Sequence, residues 1–391
     1  MKDFDIAIIG GSFAGMTSAL AIATKCSDLK IAIIEKQDIK SNDRQPDGRA
    51  YAISSVSLDL FEEIGIYDSV IVNSGLIEDI KITDYNSPTI LNFIGKEADP
   101  KNPKLGRIIE NYRIHNALRN RILDLKNITI FCPNYYTNID LEGQGARVTL
   151  DNGAVIKSDL LLACDGRFSK LRDLFNIHTI IKDYRQTAIV FNISHQRPHQ
   201  NIAHEKFLPK GPLAILPMGE IDKSSIVWIV DSKIADSILA LDDENFTHQL
   251  EKKMEHELGR VKVISEKFSY PLSLIEAKSF YHKNMLLIGD AAAGVNPIAG
   301  QGFNLAISGI KILRELIAEN LQVGTSLDGI SASYNQKFKP VAKKMIIATD
   351  LLNSCFENNA LALKLARNVG MGLVEKLPKL KNYFIKSAGG K

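Results

Sequence analysis

Two stretches of the 391-residue chain set small residues beside acids at spacings that could hold a charged ligand. The later one, MLLIGDAAAGVNPIAGQGFNLAIS, covers positions 285–308. Met285–Ile288 reads as a strand, Asp290 as an acid at its carboxyl end, and Gly300-Gln301-Gly302 as the opening of a helix that runs towards Ile317. Asp290 could accept hydrogen bonds from sugar hydroxyls. Gly300 and Gly302 let backbone N–H groups approach a ligand. The positive end of the following helix would face developing negative charge.

The earlier stretch lies at the N terminus. Apolar Phe4–Ile9 meets Gly10-Gly11-Ser12-Phe13-Ala14-Gly15, then an alanine-rich helical segment, Met16–Lys25, and a second apolar run, Lys30–Ile34, closed by Glu35. That spacing suits a dinucleotide: a tight turn at Gly10, pyrophosphate over the helix end, and a carboxylate on the ribose. Ser12 stands where the middle glycine of the pattern falls, and its hydroxyl could donate to a phosphate oxygen. Glu35 would repel a 2′-phosphate, which favours the ADP-ribose of FAD or NAD over NADP.

Between these stretches lie further candidates. Arg49, flanked by small residues in DGRAYAISS (47–55), could contact phosphate or simply be an exposed loop arginine. Asn111 falls near the start of an amphipathic helix within Arg107–Leu125, where it could cap the helix or reach a ligand. His115 and Arg119 on that helix read as solvated face. Asp165, in CDGR after the apolar run Leu160–Ala163, is placed either to meet a ligand at a strand's carboxyl end or to cap a helix over Ser169–Leu174.

The elements that position these residues read as a mixed chain. A βαβ unit comes first and Ser57–Ile64 forms a short helix. Ile80–Asn92 reads as paired strands and Asp99–Pro103 as a polar loop. Ile128–Phe131, Arg147–Leu150 and Val155–Lys157 alternate as antiparallel strands, with Asp151-Asn152-Gly153 as a hairpin turn. Thr187–Ser194, Ala214–Pro217 and Ser225–Val230 belong to a second, mostly antiparallel layer interrupted by one helical insert, Glu244–Leu258. Trp228 reads as core of that layer. Ile330–Phe384 reads as helical, with lysines on its polar face, either solvated or facing a membrane or subunit.

Composition narrows the class. Hydrophobic residues make up 45% and charged residues 24%, a globular balance. A net charge of +3 does not point to nucleic acid as a partner. The cysteines at 26, 132, 164 and 355 form no C-x-x-C pair and suit a reducing compartment. No His/Cys/Asp cluster offers a metal site, and no apolar run approaches the ~20 residues of a transmembrane helix. The expectation is a cytoplasmic protein.

Three motifs in order, GGSFAG with Glu35, CDGRFSKLR, and GDAAAGVNPIAGQGFNLA, resemble the single-component FAD-dependent aromatic monooxygenases across nearly the whole chain. Within that group the chain is most similar to the ubiquinone-biosynthesis hydroxylases, through GRAYAISSVSLDLFEEIGIYD (48–68), RIIENYRIHNAL (107–118), KGPLAILPM (210–218), YPLSLIEA (270–277), PIAGQGFNLAISG (297–309) and the tail NYFIKSAGG (382–390). Ser12 and Ala293 depart from the wider group's pattern.

The resemblance implies an α/β fold: a Rossmann-like FAD-binding domain of the glutathione-reductase-like type over 1–78, 105–180 and 280–335. A mostly antiparallel β substrate domain, 79–104 and 181–279, is inserted into it, and a helical region follows over 336–391. It implies FAD contacts at Gly10, Ser12, Phe13, Ala14, Gly15, Glu35, Lys36, Arg49, Asn111, Asp165 and Asp290. The isoalloxazine would lie by Pro297, Gly300, Gln301, Gly302, Phe303 and Asn304.

It further implies NAD(P)H or a reduced electron-transfer protein as donor, O2 as co-substrate, and hydroxylation of a polyprenylated phenol through a flavin hydroperoxide. Phe207, Leu213, Ile215 and Leu216 are expected to line an apolar channel or to be sheet core. No catalytic base is assigned, although Tyr51, His204 and Tyr270 are polar residues in the right segments. Partners would be other quinone-biosynthesis proteins and the inner face of a membrane, touched peripherally. The alternatives are a hydroxylase of a small soluble phenol, a flavin-dependent isoprenoid reductase, or a non-catalytic flavoprotein in a biosynthetic assembly.

Overall fold

A computed structural model describes residues 2–41, 43–85, 90–99, 103–141, 143, 145–295, 300–357, 372, 374, 375, 377 and 381. Its first sheet runs, in order, Tyr281–His282, Met285–Leu287, Val155–Ala163, Lys2–Ile9, Ile31–Ile34, Ile128–Phe131. From Met285–Leu287 to Ile128–Phe131 all neighbours are parallel. These strands are apolar because helices cover them; Ile6, Ala7, Ile8, Ile31 and Leu161 are fully buried. The helices Phe13–Lys25 and Gln301–Gln322 pack on each other, which brings the two glycine-bearing stretches together.

Two strand expectations change here. Ile128–Phe131 is parallel to Ile31–Ile34, not part of an antiparallel set. It is an edge strand with a buried/half-buried alternation, and an edge position produces that pattern in either direction. Val155–Ala163 is one nine-residue strand rather than two. Its first half pairs antiparallel with Ala146–Leu150 while its length runs parallel to Lys2–Ile9, and the polar pair Ser158-Asp159 disguises the continuity.

The second sheet has nine strands, ordered Ala293–Gly294, Phe268–Ala277, Thr179–His195, Lys223–Asp231, Gly211–Pro217, Ile202–Leu208, Asp79–Asp84, Ile90–Ile94, with Val261–Val263 beside Thr179–His195. It is antiparallel except where Ile202–Leu208 meets Asp79–Asp84. Two helices, Ser232–Leu239 and Asp243–Lys253, lie over its outer face, where one insert was expected. They close a core of Ile189, Phe191, Leu213, Ile215, Trp228, Phe246 and Leu250. Trp228 is core, and Leu213 and Ile215 belong to this outer face rather than to a channel. The inner face looks towards a three-stranded sheet, Ala50–Ser54, Gly106–Glu110 and Gly75–Ile77, and Leu216, Ile80, Phe93 and Ala203 join Ala52 and Ile108 there.

The helix Ile330–Glu357 follows Gln301–Gln322 and packs against it. The rest of the expected C-terminal helical run, including Leu361, Leu365, Lys376 and Lys379, lies outside the described residues apart from isolated positions. Among those, Lys381 pairs with Glu375 at 2.9 Å and Glu97 at 3.0 Å. No helix among the described residues is long and apolar enough to cross a membrane.

Candidate functional site

The site is built first by a turn that only glycine allows. Gly10 sits at φ +104°, and a Cβ there would lie 2.5 Å from the Cys164 carbonyl oxygen. A Cβ on Gly15 would lie 1.8 Å from the Gly10 carbonyl oxygen. The strand therefore turns into the helix Phe13–Lys25 with no room for a side chain. Ser12 is the N-cap residue but makes no side-chain cap bond, so the leading N–H groups of this helix point outward without a side-chain acceptor. Glu35 accepts from the Gly11 N–H at 2.6 Å and the Gln37 N–H at 2.8 Å, binding the second strand's end to the turn. Lys36 beside it is exposed. Ala14 faces Gly289, next to Asp290.

In front of the helix end is a slot of ≈ 90 Å³ lined by Ser12, Phe13, Arg44, Arg49, Tyr51, Asn111, Ile114 and His115. Arg49 donates to Asp47 through Nε at 2.9 Å and through a shorter Nη2 bond, and the Asn111 amide donates to the same carboxylate at 3.2 Å. Burial pushes the Asp47 carboxyl up, but hydrogen bonds from Arg49 and Asn111 outweigh it and hold the group below the usual carboxylate range. Arg49 is held correspondingly higher by that bond. Its guanidinium also stands 5.7 Å from the Phe268 ring centre, against the second sheet.

Asn111 does not cap its helix. The cap position is Glu110, and Asn111 works on Asp47 instead. His115 and Arg119 are not solvated face either. His115 is buried at the slot, neither ring nitrogen has a hydrogen-bond partner, and burial together with the Arg44 charge pushes it down to about 4. Arg119 donates to the Ile39 carbonyl and to Asp43, both at 2.7 Å, while Asn116 holds the backbone of Arg44. The 4-residue spacing of Asn111, His115 and Arg119 puts them on one helix face. That spacing was the available signal. Arg44, Asp47 and His115 are the residues that sequence reasoning missed.

A second knot joins this cleft to the β-rich sheet. Asp165 accepts from the Leu171 N–H at 3.1 Å through Oδ2, while its Oδ1 is buried without a partner. Ser169 is the N-cap residue of the helix Lys170–Leu174, and Asp165 accepts from a second first-turn N–H of the same helix. Arg167 donates to the Ser273 carbonyl and hydroxyl and to the Val295 carbonyl, and its Nε lies 3.8 Å from Asp290. Surrounding protein pushes the Asp290 carboxyl up and Arg167 pulls it back, while 44% of the side chain stays open to the cleft.

The helix Gln301–Gln322 starts from Gly300 in the left-handed conformation, φ +65°, where a Cβ would lie 2.7 Å from that of Ala52. Asn304 fixes this start. Its amide donates to the Ala52 and Gly300 carbonyls at 3.0 Å, and its oxygen accepts from the Ser54 N–H at 3.0 Å. Gly302 follows Gln301 in the first turn. Phe303 packs on Phe13 with ring centres 3.5 Å apart and on Tyr51 at 4.8 Å. Burial raises the Tyr51 phenol. Pro297 lies outside the described residues.

These contacts draw Gly10, Ser12, Phe13, Ala14, Gly15, Arg49, Asn111, Asp290, Gly300, Phe303 and Asn304 around one cleft. Two helix N-termini and two arginines converge on it, a setting for an anionic, multi-part ligand. A cleft of this make, between a parallel sheet and an inserted antiparallel one, is that of a dinucleotide-dependent oxidoreductase.

Comparison with known proteins agrees. Residues 3–349 match the family described as FAD binding domain. Ubiquinone hydroxylase UbiL of Rhodospirillum rubrum is 33% identical over 392 residues, covering 100% of this chain and 90% of that one. Ubiquinone hydroxylase UbiM of Neisseria meningitidis is 30% identical, covering 99% and 84%. The crystal structure of PqsL of Pseudomonas aeruginosa, described as a probable FAD-dependent monooxygenase, superposes with a TM-score of 0.79 at 18% identity, covering 95% and 99%, and shares the fold. The chain belongs to this FAD-binding family, among its FAD-dependent monooxygenases.

Proposed function

We propose that this monooxygenase hydroxylates the aromatic ring of a polyprenylated phenol or benzoquinol intermediate in ubiquinone biosynthesis. Electrons would come from NAD(P)H or a reduced electron-transfer protein, and O2 would be the co-substrate. The observation that carries this reading is the match, over the whole chain, to two proteins named ubiquinone hydroxylases.

The residues present fit FAD. The uncapped helix end at Ser12 and the cations Arg44 and Arg49 suit its pyrophosphate, with Phe13, Ala14 and the glycines 10 and 15 giving access. The orphaned Asp165 oxygen and the ring nitrogens of His115 are polar atoms awaiting partners. Glu35, with Lys36 beside it, takes the ribose, Arg49 and Asn111 the middle of the cofactor, and Asp290 the sugar-alcohol chain. Gly300, Gln301, Gly302, Phe303 and Asn304 meet the ring edge, and the resemblance adds Pro297, which lies outside the described residues.

Bound FAD supplies the electron transfer and the activation of O2. The chain supplies the rest. The helix start at Gly302 stabilises negative charge at the ring edge. Arg167 holds Asp290 and the second sheet in fixed relation. The inner face around Leu216, Ile80 and Phe93 excludes water and accepts an apolar tail. The division into 1–78, 105–180 and 280–335 for FAD and 79–104 and 181–279 for substrate follows this assignment, with 336–391 as a separate C-terminal part described as helix only as far as Glu357. Ile347, Leu351 and Leu352, exposed beside Lys343 and Lys344, suit peripheral contact with an anionic membrane surface and with other quinone-biosynthesis proteins there.

Mass spectrometry of quinone intermediates in cells lacking this chain tests the reading. An intermediate short of one ring hydroxyl should accumulate and disappear on complementation. An unchanged quinone profile would sink it.

A further inference from the structure

The inner face of the nine-stranded sheet is apolar except at a few of its described positions, and two of these, Glu205 and Asp84, are carboxyls. Along Ile202–Leu208 the side chains alternate. His204 and Lys206 turn outward, where Lys206 meets Glu255 at 2.8 Å and His204 lies 3.4 Å from Glu257, and Leu208 joins the outer core. Ala203, Glu205 and Phe207 therefore turn inward. Register sets Glu205 between Ala214 and Ile82, on the face where Ala203 packs with Leu216 and Ala52. Ala52 is the residue against which Gly300 closes.

Glu205 is 8% exposed and, among the described residues, makes no hydrogen bond or ion pair. A carboxyl so placed is costly to folding, and burial alone pushes it up to about 7. Asp84 is the titratable group on the same face of the adjoining strand; Lys81, His204, Lys206, Glu255 and Glu257 meet one another on the outer face. Asn192 and Ser225, register partners further along the inner face, also keep buried, unpartnered oxygens. Polar atoms without partners, all on the sheet face turned to the cleft, mark it as a ligand wall.

We propose that Glu205 is a catalytic residue that accepts the ring hydroxyl of the aromatic substrate and takes its proton. The ring then lies between the inner sheet face and the Gly300–Ala52 contact. The hydroxyl O–H bond breaks, a carboxyl O–H bond forms, and the electron pair stays on the ring oxygen, enriching the ring for oxygen transfer. The proton returns as product leaves. The substrate class is thus a phenol or quinol with a free hydroxyl, not its methyl ether. This rests on the reading of the site as a phenol hydroxylase.

The test uses the full chain loaded with FAD, with 2-prenylphenol and its O-methyl ether as probes and flavin absorbance as the binding signal. The wild type should favour the phenol by about tenfold or more, a comparison that needs no variant. Glu205→Gln and Glu205→Leu should bind the two probes equally. With 2-prenylphenol, kcat should rise through pH 7 in the wild type, and both variants should lose about 100-fold in kcat together with that rise, with KM changed less. Equal uptake of phenol and ether by the wild type overturns the proposal, as does a variant with unchanged kcat and pH profile. A wild type that binds neither probe overturns the phenol-hydroxylase reading as well.

Discussion

The turn at Gly10–Gly15 and the sheet face around Glu205 solve opposite problems. The first is made within thirty-five residues by backbone alone: glycines that admit no side chain, a helix end, and one carboxylate, Glu35, returning to the Gly11 N–H. The second is assembled from strands as far apart in sequence as Asp79 and Ala277, and its character depends on which side chains the pleat turns inward. A backbone site tolerates almost no change of residue. A side-chain site tolerates change in its scaffold and stores specificity in a few uncompensated polar groups.

If that contrast holds, Gly15→Val should have the largest effect of any single change in the cleft. The new side chain meets the Gly10 carbonyl rather than a movable neighbour. Overpacking against side chains costs about 1–3 kcal/mol, and backbone cannot yield as they do, so FAD affinity should fall by at least about 100-fold. The flavin content of the purified protein reads this directly. A variant that keeps its FAD would mean the turn is not the binding element.

Glu205 should show the reverse: its removal should help folding. Its folded pKa of about 7 lies above an ordinary 4.5, so the folded state binds the proton more tightly. The contribution to stability is full below pH 4.5 and is lost as pH rises through 7, a fall on the order of 3 kcal/mol. Glu205→Gln should flatten that part of the urea-derived stability curve and raise stability above pH 7. Parallel curves for the two proteins would show the carboxyl to be compensated in solution.

The same contrast explains what could be read in advance. The βαβ unit, the strand before Asp290 and the helix after Gly300 are local patterns, legible because turn chemistry and periodicity lie within a few residues. Asn111 stayed open between a cap and a contact in the cleft because both use the same side chain at the same helix position, and only the fold shows the partner, Asp47. Ile128–Phe131 alternates as an antiparallel strand would, since an edge position imposes half-burial whatever the direction. The helix Ser232–Leu239 has eight residues, too few for its period to stand out beside the strand it follows. Glu205 was invisible because, although its hairpin to Ala214 is local, its place on the inner face depends on register with Ile82, a pairing that spans more than a hundred residues.

The smallest effect concerns the other face of the same sheet. Trp228 lies opposite Leu213 in register and edge-to-face with Phe246, with ring centres 5.9 Å apart, under the helices Ser232–Leu239 and Asp243–Lys253. Its neighbours Val227 and Ile229 turn the other way. If inner and outer faces divide the work as the pleat suggests, Trp228→Phe should touch stability alone, costing about 1–2 kcal/mol in urea unfolding because the smaller ring leaves a cavity in the outer core. FAD affinity and kcat should stay at the wild-type value, because the described residues packed around Trp228 are none of those that line the slot before the first helix. A loss of turnover with FAD retained would show that the outer core sets the position of Glu205's strand, and the two faces would then have to be treated as one unit.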